Sequence, residues 1–233
     1  GGWLVLLAWL ACYFTLPIVI QMLGAATALS SSAAIALVVV TQILHGLFAI
    51  WAIGAMGMAE GRLKIPEVLD TMRMGLKPFN GNAFHALFWG LGGYAVAIPV
   101  VFAASLIQLL LPFDTSIASG PVFQWLLYPP DSLSHVLIIS AIVLVAPFFE
   151  EILFRGFLYR QLRAHLGVWS AILISAAVFS LVHMTLGRAI PLFALGILLA
   201  LVKERSGGLM PCMLLHAFWN GATVLQTVVL FGE

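Results

Sequence analysis

The sequence predicts an all-α fold, a polytopic transmembrane helical bundle of about seven to eight spans. Three observations predict it. Hydrophobic residues make up 63% of the 233-residue chain and charged residues only 8%, where a soluble domain carries roughly 25% charged residues. Seven apolar segments are long enough, or nearly so, to cross a hydrocarbon core about 30 Å thick. The Lys and Arg residues fall between those segments in an alternating pattern, as the positive-inside rule requires of a chain that crosses repeatedly.

The first segment covers residues 3–23. Its start, GGWLVLLAWL, has no basic flank of the kind a signal peptide carries, so the expectation is a first span. The second covers 33–58. The connection after it holds Arg62, Lys64, Arg73 and Lys77. Within it Ile65, Val68, Leu69, Met72 and Leu76 recur at helical spacing, opposite Glu67, Asp70, Arg73 and Lys77. Pro66 suits a first helical turn. This reads as a short amphipathic helix lying on the membrane surface.

The third segment is 83–111. A loop over 112–133 follows, with Asp114 and Asp131 but no Lys or Arg. Its Trp125 and Tyr128 read as an interfacial aromatic anchor. The fourth segment, 134–159, ends toward Arg160 and Arg163. The fifth is 168–186. The sixth, 189–203, is the shortest and runs into Lys203 and Arg205. The seventh is 209–231. If all seven span, the basic clusters share one side, and the other side holds Arg188 alone among Lys and Arg. That places the N-terminus in the cytoplasm and Glu233 outside, in the cytoplasmic (inner) membrane if the protein is bacterial.

No soluble domain, low-complexity tract or clear repeat interrupts this pattern. Residues 1–233 read as one membrane domain, with a catalytic core over 134–231 and N-terminal helices over 1–133. A net charge of +1 gives no basic patch for nucleic acid. Cys12 and Cys212 both lie in apolar runs and read as small packing residues.

Against that background one place is costly. Ser134–Phe149 carries no formal charge apart from what His135 can take up, and Glu150 and Glu151 follow side by side, with Arg155 one turn on. A charged side chain near the bilayer centre costs about 2.5–3.5 kcal/mol on insertion scales and marks a functional site by default. Helical rise puts Glu150 about 20 Å from Arg163 at the charged end of its helix. It puts His183 about 21 Å along the next helix from Trp169, and His216 about 16 Å from Arg205 along the last. Three helices thus carry ionisable groups to a similar depth.

Local spacing sorts these groups. Glu151 and Arg155 share a helix face with Glu first, the favoured order. Glu150 is turned about 100° away and has no partner on its own helix, which leaves it as the candidate general base. His216 and Asn220 are four apart, and so are Phe179 and His183, which sets an aromatic ring below a histidine. His45, His85, His135 and His165 lack such company and read as interfacial or packing residues.

EEILFR, with Glu150, Glu151 and Arg155, resembles the EExxxR motif of the CPBP intramembrane protease family, which includes the type II CAAX prenyl endopeptidases and the Abi proteins. FSLVH (Phe179, His183) matches its FxxxH motif and HAFWN (His216, Asn220) its HxxxN motif. The resemblance covers about residues 134–231. It implies an endopeptidase acting on a membrane-associated or prenylated protein, in the CAAX branch by removing the last three residues. It further implies that Glu150, with His183, activates a water, that His216 and Asn220 stabilise the oxyanion, and that Glu151 and Arg155 brace the base.

Zinc is a possible cofactor, since Glu and His are acceptable ligands. The chain has no HExxH, however. A zinc on Glu150, His183 and His216 would leave the base role to Glu151, already paired to Arg155. A metal-independent glutamate mechanism is therefore the expectation. Two other classes stay open. A transporter or proton relay would use a buried Glu/His chain, but would also be expected to show paired broken helices or a repeat. A non-catalytic bacteriocin-immunity or scaffold protein could share the fold.

Overall fold

A computed structural model of the chain describes residues 30–59, 82–113 and 121–232. The expected first span and the amphipathic helix around Pro66 lie outside these residues. Seven longer helices and one 3₁₀ turn make up the described residues, with no strand among them. They are α1 (Ser31–Ala59), α2 (Ala83–Gln108), α3 (Pro121–Leu127), α4 (the continuous run Ser132–Leu166), α5 (Val168–Val182), the turn Leu186–Arg188, α6 (Ala189–Ser206) and α7 (Met210–Phe231).

Ala83–Gln108, Ser132–Leu166, Leu186–Ser206 and Met210–Phe231 are long and apolar enough to cross a membrane, and the protein is an integral membrane protein. The sixth segment, shortest in the sequence, thus reaches spanning length once the turn before it is counted. The fifth is the short one. α5 has 15 residues and rises about 22 Å, because the chain leaves the helix at His183 and Met184 turns into the left-handed region at φ 51°.

Helix α4 is not uniform. It is α-helical over Ser132–Ser140, π-helical over Ala141–Val145, α-helical over Ala146–Glu151, π-helical again over Ile152–Leu158, and α-helical to Leu166. Hydrophobic periodicity does not report such wider turns, and the sequence reading took the segment as plain helix. Pro147, fully buried, explains the first. It has no N–H, so the ladder must break one turn before it. π-turns inside α-helices collect at functional sites, and both flank the Glu150–Glu151 pair.

The chain divides into two compact units. The described residues of one are 30–59, 121–149 and 220–232. Its core gathers Ile35, Leu126, Ile138 and Val224, with Trp125 packed against them. Trp125, read from the sequence as an interfacial anchor together with Tyr128, is partly buried against this cluster, while Tyr128 is exposed. Asp131 caps α4, accepting from the Ser134 backbone N–H at 2.8 Å and from the Ser32 hydroxyl at 2.5 Å. These bonds hold the Asp131 carboxyl below its ordinary range.

The other unit comprises 82–113 and 150–219 among the described residues. Here α6 packs against α5 and α2. Gly196 makes the first contact close: a Cβ there would stand 3.0 Å from the Ala176 Cα, so only glycine lets the backbones meet. Gln108 accepts from the Ile190 N–H at 3.0 Å and the Ser180 hydroxyl donates to the Ala189 carbonyl at 2.7 Å. Both fix the start of α6. At its far end the Tyr159 hydroxyl donates to Glu204 at 2.6 Å, with Arg163 on the same carboxylate. Gly207, left-handed at φ 74°, closes α6 with its N–H on the Lys203 carbonyl. His85 accepts from the Trp89 indole at 3.1 Å, in keeping with a packing role.

Candidate active site

The second unit gathers five of the six expected site residues. Glu151 and Arg155 are both fully buried and lie 3.0 Å apart, Nη1 to Oε1. The i,i+4 spacing anticipated this pair. What the spacing did not show is a third member. The same Oε1 of Glu151 lies 2.9 Å from Nδ1 of His216 on α7. A carboxylate only accepts, so Nδ1 carries the proton. Glu151 therefore fixes the His216 ring, whereas the motif resemblance had it bracing Glu150.

The other nitrogen of that ring, Nε2, faces Glu150 with Oε2 at 3.9 Å. This Glu150 oxygen is buried and has no hydrogen-bond partner among the described residues. Glu151 thus meets two partners through Oε1, while its Oε2, like that of Glu150, is buried without a hydrogen bond among the described residues.

Arg155 needs more than one carboxylate to sit at zero exposure. Its Nη2 donates to the Gly196 carbonyl at 3.0 Å. Its guanidinium carbon lies 4.6 Å from the centroid of the Phe179 ring, within cation–π range. Phe179 also meets the rings of His183 at 4.8 Å and His216 at 5.7 Å, edge to face in both cases. Phe154 meets the Phe179 ring edge to face at 5.2 Å. The aromatic expected below His183 is thus a hub that touches a guanidinium and two imidazoles.

His183 ends α5. Its Nδ1 stands 2.7 Å from the Phe179 carbonyl, which only accepts, so Nδ1 is protonated and Nε2 is left as an acceptor. The Thr185 hydroxyl donates to the His183 carbonyl at 2.8 Å and steadies the turn. The ring is partly exposed.

Asn220 falls in the first unit. There its amide donates to the Ile142 carbonyl at 2.9 Å. Gly196 was missed from the sequence, since it contributes a backbone carbonyl and a close approach. A glycine amid the large apolar residues of FALGILLAL was the one available signal. Among the described residues no three His, Cys, Asp or Glu side chains are placed to hold a metal ion.

Comparison with curated proteins gave no match, and comparison with solved structures gave none. Residues 130–222 match the family model described as type II CAAX prenyl endopeptidase Rce1-like. The resemblance read from EExxxR, FxxxH and HxxxN is thereby borne out: the segment that carries all three motifs is similar to the type II CAAX prenyl endopeptidases, a family of membrane proteases.

Proposed function

We propose that this protein is an intramembrane endopeptidase that uses Glu150 as general base and processes the C-terminus of a prenylated, membrane-associated protein. The observation that carries this reading is the His216 ring, held by Glu151 at 2.9 Å through one nitrogen and turned toward Glu150 through the other. A base and a fixed imidazole then face the same space.

In this reading a water lies between Glu150 and Nε2 of His183. Glu150 takes its proton as the oxygen attacks the scissile carbonyl. Negative charge builds on the carbonyl oxygen, and Nε2–H of His216 donates to it. Because Nδ1 already donates to Glu151, the ring must then carry both protons. That imidazolium balances the site: Glu150 and Glu151 against Arg155 and His216 sum to zero charge, which a low-dielectric interior favours. Collapse breaks the C–N bond, and the proton on Glu150 passes to the leaving amine. In CAAX-type cleavage the amine leaves as the N-terminus of a tripeptide. The resemblance to the family implies a role for Asn220 as a second oxyanion donor.

The test is cleavage of a farnesylated peptide by purified protein in liposomes, with tripeptide release followed by mass spectrometry. The wild type cleaves. Glu150→Ala, His183→Ala and His216→Ala each lose activity by at least about 10³-fold while remaining folded. Full activity in any of the three sinks the assignment. Ion flux without cleavage points to a carrier, and cleavage of the unprenylated peptide at the same rate removes prenyl recognition.

A further inference from the structure

The first π turn of α4 leaves one carbonyl without a donor in its own helix. The Ala146 N–H, which an α-helix would give to Ile142, reaches back five residues to Ala141. The next N–H in the π register, from residue 147, would serve Ile142, but residue 147 is proline. Both intrahelical donors of the Ile142 carbonyl are thus gone, in a segment long and apolar enough to span a membrane. In such a segment an unsatisfied backbone group is costly because no water replaces the lost donor.

The donor that fills the gap comes from α7. Nδ2 of Asn220 stands 2.9 Å from the Ile142 oxygen. We propose that Asn220 is a positioning residue that stands in for the N–H Pro147 lacks, capping the Ile142 carbonyl and holding the π turn of α4 in register. A π turn holds one residue more than an α turn. Its loss would rotate the following residues by about 100° about the helix axis, and Glu150 comes three residues after Pro147. The last Asn of HxxxN would then act on the helix that carries the base. The cap itself stands apart from the endopeptidase reading; its effect on turnover rests on it.

A double-mutant cycle tests this with the full-length protein in micelles, reading thermal unfolding and, separately, kcat and KM. Asn220→Ala is expected to lower Tm by roughly 5 °C and to lower kcat with KM unchanged. Pro147→Ala restores an N–H at residue 147 that can reach Ile142. In that background Asn220→Ala is expected to cost less than about 1 °C and to lose most of its effect on kcat. If Asn220→Ala alone does not fold, recovery of folding in the double variant carries the same message. Equal losses in both backgrounds, in Tm or in kcat, overturn the proposal, and so does failure of both variants to fold. An equal kcat loss in both would make Asn220 a direct oxyanion donor. The Tm arm needs no substrate, so it stands or falls even if no peptide is ever cleaved.

Discussion

At the scale of single residues, the two adjacent glutamates have different surroundings. Glu151 meets Arg155 and His216 on one oxygen, with no exposure. Glu150 faces the other nitrogen of the same His216 ring at 3.9 Å, and one oxygen of each carboxylate is buried without a hydrogen bond among the described residues. Removing one member of a buried ion pair strands the other, at a cost of about 3–5 kcal/mol, whereas replacing both with apolar residues is often close to neutral. Glu151→Met should therefore destabilise strongly. Adding Arg155→Met should recover most of the thermal stability. It should not recover turnover, because His216 still lacks the carboxylate that fixes its ring. Unfolding curves and cleavage rates on the two variants check both halves. A double variant with restored activity would show that Glu151 serves the fold alone.

At the scale of elements, the site depends on close helix approach and on broken helix regularity. Gly196 lets α5 and α6 touch and offers its carbonyl to Arg155. An added Cβ would sit 3.0 Å from the Ala176 Cα and 3.3 Å from its carbonyl oxygen, against backbone that has little room to yield. Overpacking of this kind costs about 1–3 kcal/mol, more than the roughly 1 kcal/mol alanine gains over glycine in helix propensity. Gly196→Ala should thus lower Tm despite its better propensity. It should also slow cleavage by roughly tenfold, the effect of about 1.4 kcal/mol on the barrier. An unchanged Tm would show that α5 can shift aside. Most of the element boundaries were legible because apolar runs between basic clusters mark span ends. The π turns were not, because two local alternatives with the same hydrophobic pattern differ only in which N–H reaches which carbonyl. Pro147 was the visible cue.

At the scale of the whole molecule, the chain is a helical membrane protein whose segment 130–222 matches a family of CAAX endopeptidases. The missing HExxH, the pairing of Glu151 to Arg155 and the absence of a three-ligand cluster among the described residues lead to one expectation for the proposed protease. Cleavage should survive exhaustive chelation, with metal far below one equivalent per chain in elemental analysis. Loss on chelation, with recovery on adding zinc, would move the reaction to metal catalysis.

The sequence by itself determined the class of fold, the order of the spans within the described residues and the six polar side chains worth attention. It could do so because membrane insertion penalises charge at each position separately, and because i,i+4 spacing fixes neighbours on one helix. Tertiary structure alone decided what those side chains touch. Glu151 turned out to hold His216, 65 residues away in the chain. Phe179 became the seat of Arg155. Gly196 supplied a carbonyl, and Asn220 found the carbonyl of Ile142. Each is a contact between helices or with the backbone, set by the register in which helices pack. Hydrophobic periodicity within one segment carries no information about that register.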